Sequence, residues 1–92
     1  MMTQFVKVVN VGSLTEVQLK TGETPIKKRE LVVADGYDEF RVTCLREDAE
    51  LNYEVGDIAS MSLAFRVREY EGRYFQDITA RYAVILTPKL KF

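Results

Sequence analysis

Residues 46–53, Arg46-Glu47-Asp48-Ala49-Glu50-Leu51-Asn52-Tyr53, interrupt a chain that otherwise alternates between strand-like runs and turns. The early acidic residues suit the positive end of a helix. Ala49 and Tyr53, four apart, would share one helical face. The pattern predicts one short helix here. Immediately upstream, Glu39-Phe40-Arg41-Val42-Thr43-Cys44-Leu45 has the period of a strand, with Phe40, Val42 and Cys44 facing one way and Arg41 and Thr43 the other. Asp35-Gly36-Tyr37-Asp38 before it tolerates positive φ and predicts a hairpin turn. Ile26 to Ala34 is then the preceding strand. The β-branched run Phe5 to Val11, bent or bulged at Gly12-Ser13 and continued from Leu14 to Leu19, is the first. Lys20 to Pro25 is a loop.

Downstream, Glu54-Val55-Gly56-Asp57 turns into a long strand, Ile58 to Tyr70. Met61, Leu63, Phe65 and Val67 there are expected in the core, alternating with Ser60, Ser62, Arg66 and Arg68. Glu71-Gly72 makes a second hairpin. Tyr74 to Leu86 closes the series, with Ile78, Ala80, Tyr82 and Val84 expected on its inner face. The order is β-β-β-α-β-β, five strands with one short helix between strands 3 and 4. Short, half-buried strands joined by tight turns hide their edges best by closing on themselves. The expected fold is all-β, a five-stranded OB-fold barrel, because a helix between strands 3 and 4 is that fold's arrangement. Split ferredoxin-like and SH3-like folds fit the helix position less well. The 92 residues make a single OB-fold domain, 1–92, with 87–92 expected as a loose tail.

Composition narrows the function. The chain has no His and one Cys, so a Cys–His or Ser–His nucleophile and a transition-metal site are not expected. No GxxxxGK[ST] or GxGxxG stretch occurs. The expectation is a protein without catalytic residues, metal or cofactor. Cys44 is expected as a small buried hydrophobe, and a lone Cys that forms no internal disulfide suits a reducing cytoplasm. No apolar run approaches the roughly 20 residues of a membrane span, and no membrane partner is expected. Net charge is −1, but its distribution is uneven: residues 46–57 carry −4 and residues 61–92 carry +3. Local sign sets the field that a polyanion meets.

Three stretches resemble a known family. They are Lys27-Lys28-Arg29-Glu30-Leu31-Val32-Val33, Val55-Gly56-Asp57, and Arg68-Glu69-Tyr70-Glu71-Gly72-Arg73-Tyr74-Phe75-Gln76-Asp77-Ile78-Thr79-Ala80. Together they resemble small bacterial OB-fold proteins related to single-stranded DNA-binding protein, in particular an uncharacterised Bacteroidetes-type group. The closing hairpin is the most specific part. The chain departs from the pattern in having no Trp and in ending in the basic Pro88-Lys89-Leu90-Lys91-Phe92 rather than an acidic tail.

The resemblance implies binding of single-stranded nucleic acid. The chemistry of such binding is general: cations follow the phosphates while aromatic rings stack on unpaired bases. In an OB barrel the groove crosses strands 2 and 3 between two flanking loops. Lys27, Lys28 and Arg29 stand at one flank, and Arg68, Tyr70, Arg73, Tyr74 and Phe75 at the other. Arg41 lies between them, and Arg66 and Arg81 extend the basic track. For Tyr70 and Tyr74, cross-strand packing is as compatible with the sequence as stacking. Asp77 is expected to pair with Arg68 or Arg81. The sequence leaves DNA and RNA undistinguished. It is equally compatible with a protein-interaction or homo-oligomerisation module built on the hairpin, since interfaces also favour Tyr and Arg.

Overall fold

Strand β1, Met2–Val11, serves two neighbours at once. In a computed structural model, which describes residues 2–88, its first half pairs antiparallel with β5 (Ile58–Tyr70) and its second half with β3 (Ile26–Ala34). The change of partner is made by an irregularity in register between Val8 and Asn10. Gly12, where the sequence predicts the bend, does a different job. Its N–H donates to Glu30 O at 2.8 Å, and a Cβ there would stand 2.7 Å from the same oxygen. Only glycine allows that approach. The short β2 (Thr15–Val17) follows and extends the edge of β3.

The remaining strands are β4 (Glu39–Leu45) and β6 (Arg73–Ile85). Sheet order is β1-β5-β6-β4-β3-β2, and the additional β1–β3 pairing closes five strands into a ring. The β4–β6 seam is parallel and carries two register pairs, Thr43↔Thr79 and Cys44↔Ala80. Inside the ring, Val6, Val8, Leu31, Val33, Val42, Cys44, Ala59, Met61, Leu63 and Ala80 are buried together with Ala49 and Tyr53. The alternation of β4 is as expected, with Phe40 packed against this core. Burial pushes the Cys44 thiol up to about 11, so it stays protonated at neutral pH.

The turns obey local chemistry. Glu71 and Gly72 both have positive φ, the two-residue geometry whose twist matches that of the flanking strands. Asp35 Oδ1 accepts the N–H groups of Tyr37 and Asp38, both at 2.9 Å, around Gly36. At Val55-Gly56-Asp57, the buried Asp57 accepts the Glu54 N–H at 2.9 Å and the Gly56 N–H donates to Val8 O.

Three expectations are corrected. First, the helix of residues 46–53 is one 3₁₀ turn, Arg46–Ala49. Leu45 stands at its N-cap and offers no side-chain cap, so nothing repays the cost of nucleating a longer helix. Ala49 and Tyr53 still go inside, and the Tyr53 hydroxyl donates to Asp48 O at 2.6 Å.

Second, Tyr82 and Val84 are exposed, while Ala83 and Ile85 pack on the core. Opposite Ser60 and Ser62, β6 runs from Val84 to Arg81 and so carries one extra residue. This bulge, with Tyr82 at φ 52, shifts every later side chain to the other face.

Third, Phe65 and Val67 lie outside the core. The β5–β6 ribbon continues past the ring, and its strand residues from Phe65 to Gln76 are exposed on both faces, although Phe65 still borders Gln4 and Phe40. The tail expectation for 89–92 falls outside the described residues. Just before them, Thr87 Oγ accepts the Ile58 N–H at 2.6 Å.

Candidate nucleic-acid interface

Residues directly opposite one another in an antiparallel pair project to the same face. The β5–β6 register therefore sorts the hairpin. Arg66↔Asp77, Arg68↔Phe75 and Tyr70↔Arg73 share the outer face, as do Ser62↔Arg81 and Ala64↔Thr79 nearer the ring. Phe65↔Ile78, Val67↔Gln76 and Glu69↔Tyr74 share the other. Through Thr43↔Thr79 the outer face continues onto β4, where Arg41 points the same way, and then onto β3 at Lys28 and Glu30.

The structure thus gathers Lys28, Arg41, Arg66, Arg68, Tyr70, Arg73, Phe75 and Arg81 on one continuous surface. It does not bring the others there. Tyr74 lies on the reverse of the hairpin. Lys27 and Arg29 share the inward phase of Leu31 and Val33. Lys27 Nζ meets Glu16 Oε1 at 2.7 Å. Arg29 stands opposite Cys44, and its Nε is buried without a hydrogen-bond partner. A run of three basic residues on a strand has to straddle two faces. Counting back by twos from Leu31 reveals this in the sequence.

Two of the open grooves on this surface bring arginines and aromatic rings together. One, about 690 Å³, is lined by Arg68, Glu69, Tyr70 and Phe75. Tyr70 is 67% and Phe75 44% exposed, so both rings are within reach of a ligand. The second, about 530 Å³, is nearer the ring. It is lined by Leu45, Arg46, Glu47, Asp48, Arg66, Thr79, Ala80, Arg81 and Tyr82. Sequence reasoning misses Arg46 and Tyr82 here, because it places one in a helix and the other in the core.

Acids interrupt the cations. Asp77 Oδ2 accepts the Arg68 Nε–H at 2.5 Å, the pairing expected. That hydrogen bond is the largest effect holding the Asp77 carboxyl below the ordinary range, with Arg68, Arg66 and Lys28 adding their charge. Lys28 and Arg41 each approach Glu30 to 3.9 Å. Among the described residues no group of three or more metal-ligating side chains occurs, and no helix is long and apolar enough to cross a membrane.

No protein-family model matches the chain, and no curated protein matches it. Among solved structures the chain is similar to the second OB-fold domain of replication protein A from Methanococcus maripaludis. The two share 26% identity at a TM-score of 0.76, over 97% of this chain and 86% of that one. The five-strand ring with its turn between β4 and β5 is an OB fold.

Proposed function

We propose that the protein binds single-stranded nucleic acid, without catalysis, on the outer face of β3, β4 and the β5–β6 hairpin. One observation carries this reading: Tyr70 and Phe75 line an exposed groove beside Arg68, on the face that also holds Arg66, Arg73 and Arg81. Rings within a cationic track are what strand binding without base readout requires, and OB folds of replication protein A and of single-stranded DNA-binding protein use that combination. The hairpin's resemblance to small bacterial relatives of the latter supports the same reading and favours DNA, and the lone Cys suits a cytoplasmic setting.

The test is fluorescence anisotropy of labelled oligo-dT. With about four phosphate contacts, affinity falls roughly 100-fold between about 50 and about 300 mM salt. Phe75→Ala weakens binding by about 1–3 kcal/mol, the worth of one stacked base. Tyr74→Ala, on the reverse face, leaves it unchanged. No binding at tens of micromolar protein overturns the proposal.

A second reading has its own observation. On the reverse of the hairpin Phe65, Val67 and Tyr74 are 51%, 65% and 73% exposed, an apolar strip suited to a protein partner or a second copy of the chain. Light scattering that shows a multimer, dissociated by Val67→Asp, would favour it.

A further inference from the structure

Among the described residues, the non-glycine positions with positive φ are Arg46, Glu71 and Tyr82. Glu71 belongs to the hairpin turn. Arg46 and Tyr82 are 36 positions apart in sequence, yet both line the groove nearer the ring. A left-handed backbone is unfavourable for an L-residue, and such strain persists where the surroundings over-determine the conformation. Here the surroundings are visible. The bulge in β6 frees two N–H groups from the ladder. The Asp48 carboxylate accepts both, Tyr82 N at 3.2 Å and Ala83 N at 3.0 Å. Asp48 is held in turn through its carbonyl, which accepts the hydroxyl of the buried Tyr53 at 2.6 Å. A buried anchor, an acid and a bulge therefore fix one outcome: the Tyr82 ring stands 73% exposed over a groove that also holds Arg46, Arg66 and Arg81.

We infer that this bulge groove is a second nucleotide subsite, in which Tyr82 stacks on one base of a bound single strand while the neighbouring arginines meet its phosphates. The inference rests on the proposed binding of single-stranded nucleic acid and adds to it a fixed second point of contact. Phe75 and Tyr82 are seven residues apart on β6, roughly 23 Å along a strand. A chain engaging both grooves spans several nucleotides, within the ~4–16 per OB fold seen generally. The lining carries three arginines, Arg46, Arg66 and Arg81, against two acids, Glu47 and Asp48, so its balance stays cationic.

The chain contains no Trp, so Tyr82→Trp installs a single tryptophan reporter. Adding oligo-dT to this variant is expected to quench most of its emission, with the midpoint found by anisotropy of a labelled strand. Tyr37→Trp, on the exposed β3–β4 turn, stays unquenched. A second variant, Tyr82→Gly, keeps the backbone conformation and removes the ring. It is expected to hold Tm within about 5 °C while weakening oligo-dT binding about 5- to 150-fold. Saturable anisotropy without quenching in Tyr82→Trp, or full affinity in Tyr82→Gly, overturns the subsite and leaves the broader reading standing. Absence of both quenching and anisotropy change overturns the broader reading itself.

Discussion

The near and far halves of the β5–β6 ribbon share one alternating pattern and meet opposite fates. From Ala59 to Leu63 every second residue is buried against β1 and the ring interior. From Phe65 to Tyr70 the same alternation continues, but every residue is exposed because the ribbon has outrun the strands that would cover it. Periodicity decides which residues share a face. Coverage is decided by other strands, whose lengths are written elsewhere in the sequence. The near half holds the protein together, whereas the far half offers two uncovered faces, one cationic and one apolar.

The sharpest way to break this contrast is to truncate one residue of the same phase in each half. Leu63→Ala, in the ring, is expected to cost about 2–5 kcal/mol in urea denaturation. Val67→Ala, four residues on, should change stability by no more than about 0.5 kcal/mol. Similar losses at the two sites would mean that the far half is covered in solution.

A smaller effect is expected at the junction of the halves and the turn. Asp48→Ala leaves the bulge N–H groups of Tyr82 and Ala83 without their carboxylate and should cost about 1.5–3 kcal/mol, read as a lowered urea midpoint. An unchanged midpoint would show that water replaces the carboxylate at no cost.

The smallest effect concerns the outer face alone. Asp77→Asn removes a negative charge and releases Arg68, so oligo-dT affinity should rise several-fold at low salt, with the gain shrinking as salt screens it. A fall in affinity would show that Asp77 serves mainly to hold Arg68 in its binding position.

Much of this is legible in the sequence, and the misses have physical causes. The strand order, both hairpin turns and the burial of Val42, Cys44, Met61 and Leu63 follow from alternation and turn chemistry. The helix is over-read when acidic residues are counted and the uncapped Leu45 is not. The bulge is invisible because Tyr82-Ala83-Val84-Ile85-Leu86 is apolar in both phases, so the sequence carries no mark of the switch. Placing Tyr74 and Phe75 in one groove ignores that neighbours on a strand oppose each other. The cationic face is recovered because Arg66, Arg68, Tyr70, Arg73, Phe75 and Arg81 fall on one side by register, which a hairpin sequence does express.

The parallel seam between β4 and β6 has a consequence for breathing. Two residue pairs join these strands, against eleven pairs between β5 and β6, so within the ring the seam at Thr43 and Thr79 is expected to open before the covered half of the β5–β6 ribbon. The groove beneath Tyr82 lies across that seam, with Leu45 on one bank and Thr79 on the other. Under the proposed binding, a strand bridging the banks would latch the closed form and is expected to slow amide exchange at this seam.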